Sequence, residues 1–282
     1  MFGFIEVNRD RLSIAMMCRV YGVTRAGFYA WHNRGPSQRM LESESLSGQI
    51  RQVHQASRGT YGSPRVYRRL QELGVSVGEN RVAKLMSKLG IKGRWATLRY
   101  TSPNLKKFYG CLPNRQLEHA AEVPNQVWVA DITYLKVGAI YRYLAVVMDR
   151  CSRRIVGWAF GQQKNVKLTL RALNNAVTKR RPPDGLIFHT DRGIEYYANA
   201  FRARLAQLNI TQSMNRPGKV TDNAFMESFF HSMKSEAIHG WKFSEDEQML
   251  SVLRSYIPFY NHSRMHSSLN YVSPATYEIQ LA

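Results

Sequence analysis

Apolar positions change their period along the 282-residue chain. In the first third they recur at helical spacing. Ile14, Met17, Cys18 and Tyr21 fall on one face, and Gly22 follows as a stop signal. Thr24 can then cap a second helix carrying Phe28, Tyr29 and Trp31. A helix, a short glycine turn and a helix outline a helix-turn-helix. A second unit repeats the theme. Pro64 sits in a predicted first helical turn, and Val66, Leu70 and Leu73 form one face. The turn 74–78, with a glycine at each end, leads to a helix with Val82, Leu85, Met86 and Leu89 facing inward and Gly90 at its end. Arg81, Lys84 and Lys88 fall on its outer side.

Residues 91–125 lose periodicity. They carry Arg94, Arg99, Lys106, Lys107 and Arg115 among Pro103, Pro113 and Pro124, the pattern of a basic linker. From 126 the period becomes two. Val127, Val129 and Asp131 alternate with Trp128, Ala130 and Ile132, which predicts a strand. Gly138-Ala139 can turn the chain into a second strand over 141–148, and 155–160 predicts a third. An amphipathic helix follows, with Val166, Leu170, Leu173 and Val177. Leu186–His189 predicts a short strand ending near Asp191, then a helix over 198–208, a strand over 210–214 and a helix over 222–238. Short connections make the first three strands an antiparallel meander. The fourth returns through a crossover helix and can lie parallel to the first, which brings Asp131 and Asp191 together.

This element order predicts an α/β fold with a ribonuclease-H-like mixed sheet, three antiparallel strands plus two crossover strands. An all-helical region with helix-turn-helix character precedes it. The expected organisation is a helical helix-turn-helix-like region over 1–60 and a second helix-turn-helix DNA-binding unit over 61–95. A basic linker over 96–124, a catalytic core over 125–240 and a C-terminal helical tail over 241–282 complete it. Pro258 is expected to interrupt the tail helix and kink it.

Charge adds a partner to this picture. Forty Lys and Arg oppose twenty Asp and Glu, for a net charge of +20. Residues 61–110 alone hold eleven basic and two acidic side chains. Such a stretch is the electrostatic footprint of a nucleic-acid binder. It marks Arg81, Lys84, Lys88, Arg94, Lys106 and Lys107 as candidate DNA contacts. A small helical domain with a solvated charged face shows the same pattern. The three cysteines, Cys18, Cys111 and Cys151, have neither zinc-ligand spacing nor the even number of a disulfide framework, which fits a reducing cytoplasm. The longest apolar runs are too short to cross a bilayer, so no membrane partner is expected.

The candidate chemistry rests on carboxylates. Clustered acids repel one another and become sensible when hard cations neutralise them. Two Mg2+ or Mn2+ ions about 3.5–4 Å apart can activate an attacking oxygen and stabilise a leaving one. Asp131 and Asp191 follow from the strand order. Glu227, on the last helix of the core, supplies a third acid. Asn223, Glu227 and Lys234 share one face of that helix, while Ala224, Met226, Phe229 and Met233 are expected in the core. Asp149 also follows an apolar strand, but it is expected to close that strand and cap the turn before Arg153.

Three blocks carry a family resemblance. Residues 125–134, with Asp131, resemble the first catalytic strand of transposases of the bacterial insertion sequence 3 family. His189-Thr190-Asp191-Arg192-Gly193 with Tyr196 or Tyr197 resembles the second block, and residues 222–230, with Glu227, the third. The gap of 35 residues between Asp191 and Glu227 is also the family's spacing. The match extends through residues 149–158 and through Tyr260-Asn261 to Ser273-Pro274-Ala275, so it spans nearly the whole chain. The downstream-frame product of that family, with its retroviral-integrase-like Asp-Asp-Glu core, is the form it is most similar to. The resemblance implies a catalytic and metal-binding triad of Asp131, Asp191 and Glu227 holding two Mg2+ or Mn2+ ions. It implies nicking at an element's end and attack by the freed 3′-hydroxyl. It makes Lys234 a DNA contact, Asn223 and Arg264 further candidates, and His189 a possible support for metal or phosphate. It further implies double-stranded DNA as partner, a multimer on DNA, and an upstream-frame helix-turn-helix protein or a frameshift fusion with it. The expected location is the bacterial cytoplasm, beside the nucleoid. Two alternatives stand beside this reading: a catalytically inactive DNA-binding regulator, and a ribonuclease-H-like nuclease without strand transfer.

Overall fold

The computed structural model describes residues 1–35, 37–94, 112–118, 121–217 and 219–282. Lys106 and Lys107, and most of the expected linker, lie outside the described residues. The first core is small. Helices α1 (Phe2–Asn8), α2 (Ile14–Val20) and α3 (Arg25–His32) enclose Ile5, Met17, Cys18 and Phe28. The Thr24 hydroxyl caps α3, accepting the Gly27 N–H at 3.0 Å. That bond satisfies one of the N-terminal donors a helix leaves unpaired.

A second helical core follows. Leu46, Ile50 and Val53 of α4 (Gln38–Ala56) pack with Val66 and Leu70 of α5 (Ser63–Glu72) and with Val82 and Met86 of α6 (Glu79–Lys88). Thus α4, N-terminal to the boundary expected at 60/61, shares its core with α5 and α6. Leu73, expected on the inner face, is instead 58% exposed. The helix has ended one residue earlier, and Leu73 leads into Gly74 at φ +77°, which turns the chain away.

The sheet comprises β1 (Val127–Val137), β2 (Ile140–Asp149), β3 (Ile155–Gly161), β4 (Ile187–Thr190) and β5 (Thr211–Met214), in the order β3-β2-β1-β4-β5. The first three are antiparallel, and β4 and β5 run parallel to β1. The expected three antiparallel strands plus two crossover strands are therefore what the chain forms. Gly138, at φ +59°, takes the left-handed conformation that a tight β1–β2 turn requires.

Period-two alternation sorts β1 between two layers. Trp128 and Ala130 pack under α7 (Val166–Arg180) and α9 (Asn199–Gln207). Val127, Val129, Leu135 and Val137 pack under α10 (Ala224–Met233) and α11 (Asp246–His262). Asp131 has the parity of the second set, so it projects toward the α10 layer. On α10, Met226, Phe229 and Met233 are buried, but Ala224 is exposed, contrary to expectation. A 3-10 turn over Val220–Asn223 precedes α10 and rotates its first residue outward. The last turn is also irregular, since Lys234–Ile238 continues as a π-helical turn.

The tail is tied to the sheet. Asn261 accepts the Ile155 N–H at 2.8 Å and donates to the Ile155 carbonyl at 2.9 Å, which extends the edge of β3. Glu278 of α12 (Pro274–Leu281) receives the guanidinium groups of Arg154 and Arg180. Pro258 does not end α11, which runs on to His262. The proline lies on the exposed side, where water can satisfy the carbonyl left without an N–H partner. Asp149, fully buried, accepts the N–H groups of Asn125, Cys151 and Ser152 and so closes the turn in which Arg153 has φ +62°.

Candidate active site

Strand register places the two aspartates. Ala130 pairs with Thr190 at the end of the β1–β4 ladder, and Asp131 and Asp191 are the next residues on neighbouring parallel chains. Adjacent strands lie about 4.8 Å apart, so the two carboxylates come together over the middle of the sheet, between β1 and β4. Asp131 accepts the N–H of Ile132 at 2.7 Å, and Asp191 that of Gly193 at 3.0 Å. Burial, then the Asp191 charge, push the Asp131 carboxyl well above the usual carboxylate range. The Ile132 N–H and Lys164 oppose that rise, and Glu227 adds to it. Asp191 is raised too, chiefly by burial; the Gly193 N–H and Lys164 oppose the shift and Glu195 adds to it. Two mutually repelling, desolvated carboxylates are a hard-cation site in donor chemistry. Among the described residues, however, no three His, Cys, Asp or Glu side chains stand close enough together to hold a metal ion as they are. Glu227 is the outlying member, on the exposed side of α10.

Lys234 is part of this neighbourhood. Its ammonium stands 4.5 Å from the centre of the Tyr134 ring, and burial lowers its pKa while Asp131 opposes the shift. Arg81, Lys84 and Lys88 are exposed on one side of α6, with Arg81 also 3.5 Å from Glu42.

Four other candidates make contacts within the protein. Arg264, expected as a DNA contact, is 3% exposed, and its guanidinium is spent on Glu236 at 2.6–3.0 Å, where Tyr256 also donates. A cation so buried and paired cannot reach DNA. Asn223 is buried and donates to the Ala130 carbonyl at 3.2 Å, which pins the start of α10 to β1 beside Asp131. Its amide is therefore turned into the fold and not presented to solvent. His189, fully buried, binds Ser213 through Nδ1 (2.8 Å) and Asn215 through Nε2 (2.7 Å). Burial pushes its pKa down to about 4, so it stays neutral and structural. Arg94 is exposed, but it donates to the Glu236 carbonyl at 2.9 Å, joining the helical unit to the turn after α10.

Sequence reasoning passed over Lys164 and Glu195. Lys164 precedes the N-cap of α7, and its ammonium is 3.7 Å from the Glu195 carboxylate. Glu195 lies four residues after Asp191. The available signal was topological: the Lys164 loop and the short helix α8 (Ile194–Tyr197), which carries Glu195, both follow at the sheet end where β3 and β4 finish.

A mixed sheet of this order carries an acidic pair just beyond the last β1–β4 pairing, with a helical unit before it. The integrase core domain family matches residues 121–220, a second integrase core description matches 208–274, and an HTH-like domain matches 42–97. An IS600 insertion-element 31 kDa protein of Shigella sonnei is 38% identical, covering 93% of this chain and 97% of that protein. The InsF transposase of insertion sequence IS3A of Escherichia coli is 35% identical over 98% of both chains. An IS904 transposase of Lactococcus lactis is 36% identical over 87% of this chain and 98% of its own. A solved HTLV-2 integrase catalytic core domain in complex with magnesium aligns with a TM-score of 0.45 at 15% identity, over 55% of this chain and 97% of that one. The chain belongs to the insertion sequence 3 family of transposases, and its function is DNA transposition. Among the described residues no helix is long and apolar enough to cross a membrane.

Proposed function

We propose that Asp131, Asp191 and Glu227 form the catalytic triad of this transposase, binding two Mg2+ or Mn2+ ions for nicking and 3′-hydroxyl strand transfer at an element's end. The observation that carries the reading is the placement of Asp131 and Asp191 one residue beyond the last β1–β4 pair, under a helix that carries Glu227. The donors fit the group: all are carboxylate oxygens, and the two half-buried aspartates have raised pKa values that a cation would relieve. Asp131 and Asp191 would hold the ions from the sheet, and Glu227, exposed on α10, would complete the set. When bound, the ions supply activation of the attacking oxygen and charge relief at the leaving one. Asn223 fixes the start of α10 against β1, so that Glu227 starts each turnover from a defined backbone position. Lys234, its ammonium over the Tyr134 ring, would hold a phosphate of the element's end beside Asp131. Arg81, Lys84 and Lys88 would bind duplex phosphates or base edges from α6.

The expected partners are double-stranded DNA, further copies of the chain on that DNA, and the upstream-frame protein or a fusion with it. The test is strand transfer with Mg2+ on a duplex ending in the element's terminal sequence. Glu227→Gln should abolish both nicking and joining while DNA affinity persists. Unchanged processing by that variant would transfer the assignment to a DNA-binding regulator. Nicking by the unmodified protein without any joining would favour a nuclease.

A further inference from the structure

Lys164 stands where the proposed triad leaves a charge to be explained. Glu195 is only 7% exposed, and its Oε2 atom is buried without a hydrogen bond. A Cβ placed on Gly193 would lie 2.9 Å from Asp191 Oδ1 and 3.0 Å from Glu195 Oε2, so these two carboxylates face one small volume. The Lys164 ammonium stands 3.7 Å from Glu195 Oε2, too far for a hydrogen bond. Its side chain keeps 42% of its surface open to solvent. Its charge also reaches both Asp131 and Asp191. Lys164 is therefore held near three carboxylates by charge alone, with its N–H donors uncommitted among the described residues.

The two faces of the sheet matter here. Lys234 approaches Asp131 from the α10 layer, over Tyr134. Lys164 comes from the loop before α7, which packs on the other face. The two ammonium groups bracket the aspartates. Cations that neutralise Asp131 and Asp191 would remove the charge that draws Lys164 toward them and leave its donors for an entering DNA phosphate. An ammonium with three donors and a buried counter-charge beneath it suits that contact.

We propose that Lys164 contacts a DNA phosphate next to the scissile position, held there by Glu195, so that the bound strand runs across the site from Lys234 to Lys164. This rests on the triad reading for the position of the scissile phosphate.

The test uses the full chain and duplexes ending in the element's terminal sequence, each with one methylphosphonate at a successive position around the cleavage point. Each duplex is read twice, as Kd with Ca2+ and as strand-transfer rate with Mg2+. Lys164→Ala should lower strand transfer about tenfold to a hundredfold, the loss of one charged hydrogen bond. Lys164→Arg should regain part of it, and Glu195→Gln should fall between. At one methylphosphonate position the unmodified protein should lose as much as Lys164→Ala does, and the variant should lose nothing more, in Kd as in rate. Penalties that add at every position, or a Lys164→Ala Kd equal to that of the unmodified protein on every duplex, would overturn the contact. If the matched position appears in Kd but the unmodified protein joins no DNA with Mg2+, the triad reading fails while the Lys164 contact stands.

Discussion

Replacing Asp131 by asparagine should make the protein more stable without divalent metal and catalytically dead with it. The Asp131 carboxyl is raised first by burial and then by the Asp191 charge, so ionising both aspartates is unfavourable in the folded chain without a cation. Asparagine keeps the oxygen that accepts the Ile132 N–H and removes the charge. Two unit charges about 4.8 Å apart, the spacing of neighbouring strands, repel by about 1 kcal/mol where water screens them. Asp131 is partly open to solvent, which screens the repulsion, so about 1 kcal/mol is the figure to expect. In a chain of this size that raises Tm by about 2–4 °C. Saturating metal should reverse the order. A cation at a hundred times its Kd stabilises the unmodified protein by about 2.7 kcal/mol, and the variant, having lost a ligand, should gain far less. Thermal melting in EDTA and across a Mn2+ titration reads both effects. A variant that melts below the unmodified protein in EDTA, or that responds equally to Mn2+, would refute the reasoning and make Asp131 a structural residue.

Glu236→Gln should cost about 3–5 kcal/mol, because it leaves Arg264 charged and unpaired in the interior; urea unfolding checks this, and a change within about 0.5 kcal/mol would contradict it. Lys84→Ala and Lys88→Ala should each flatten the dependence of log K on log salt by about one for duplex DNA. An unaltered slope in binding titrations would remove α6 from the DNA interface. His189, depressed to about 4, keeps its proton off while the unfolded chain takes one up near 6.5. Its contribution is therefore present at neutral pH and lost as pH falls from 6.5 through 4, up to about 3 kcal/mol. Comparing urea midpoints of the unmodified protein and His189→Gln at pH 7 and pH 5 should show the smaller loss in the variant.

Much of the fold was legible because local pattern and tertiary burial agree. Alternation in 127–132 predicts β1, and Trp128 and Val129 do pack on opposite faces. The β1–β4 crossover then brings Asp131 to Asp191 from connection length alone. What escaped is what only tertiary contact decides. A sequence cannot say that Arg264 will be buried against Glu236, because the partner is set by how α11 crosses the turn after α10. Asn223 looked like a member of the catalytic face, yet the 3-10 turn before α10 directs its amide to β1. Helix α4 left little trace, since its buried residues Leu46, Ile50 and Val53 are sparse in a polar stretch. Lys164 lies in a loop and Glu195 on a helix of 4 residues, too short to show a period, and only the sheet topology gives them a common place.

The account stands or falls on where divalent ions bind when DNA is present. Anomalous diffraction from Mn2+ in a complex with duplex DNA of the element's end measures it directly. The prediction is two peaks between Asp131 and Asp191, with a Glu227 carboxylate oxygen coordinating at least one of them. Peaks away from the aspartate pair, or a Glu227 side chain still in solvent while both sites are filled, would contradict it.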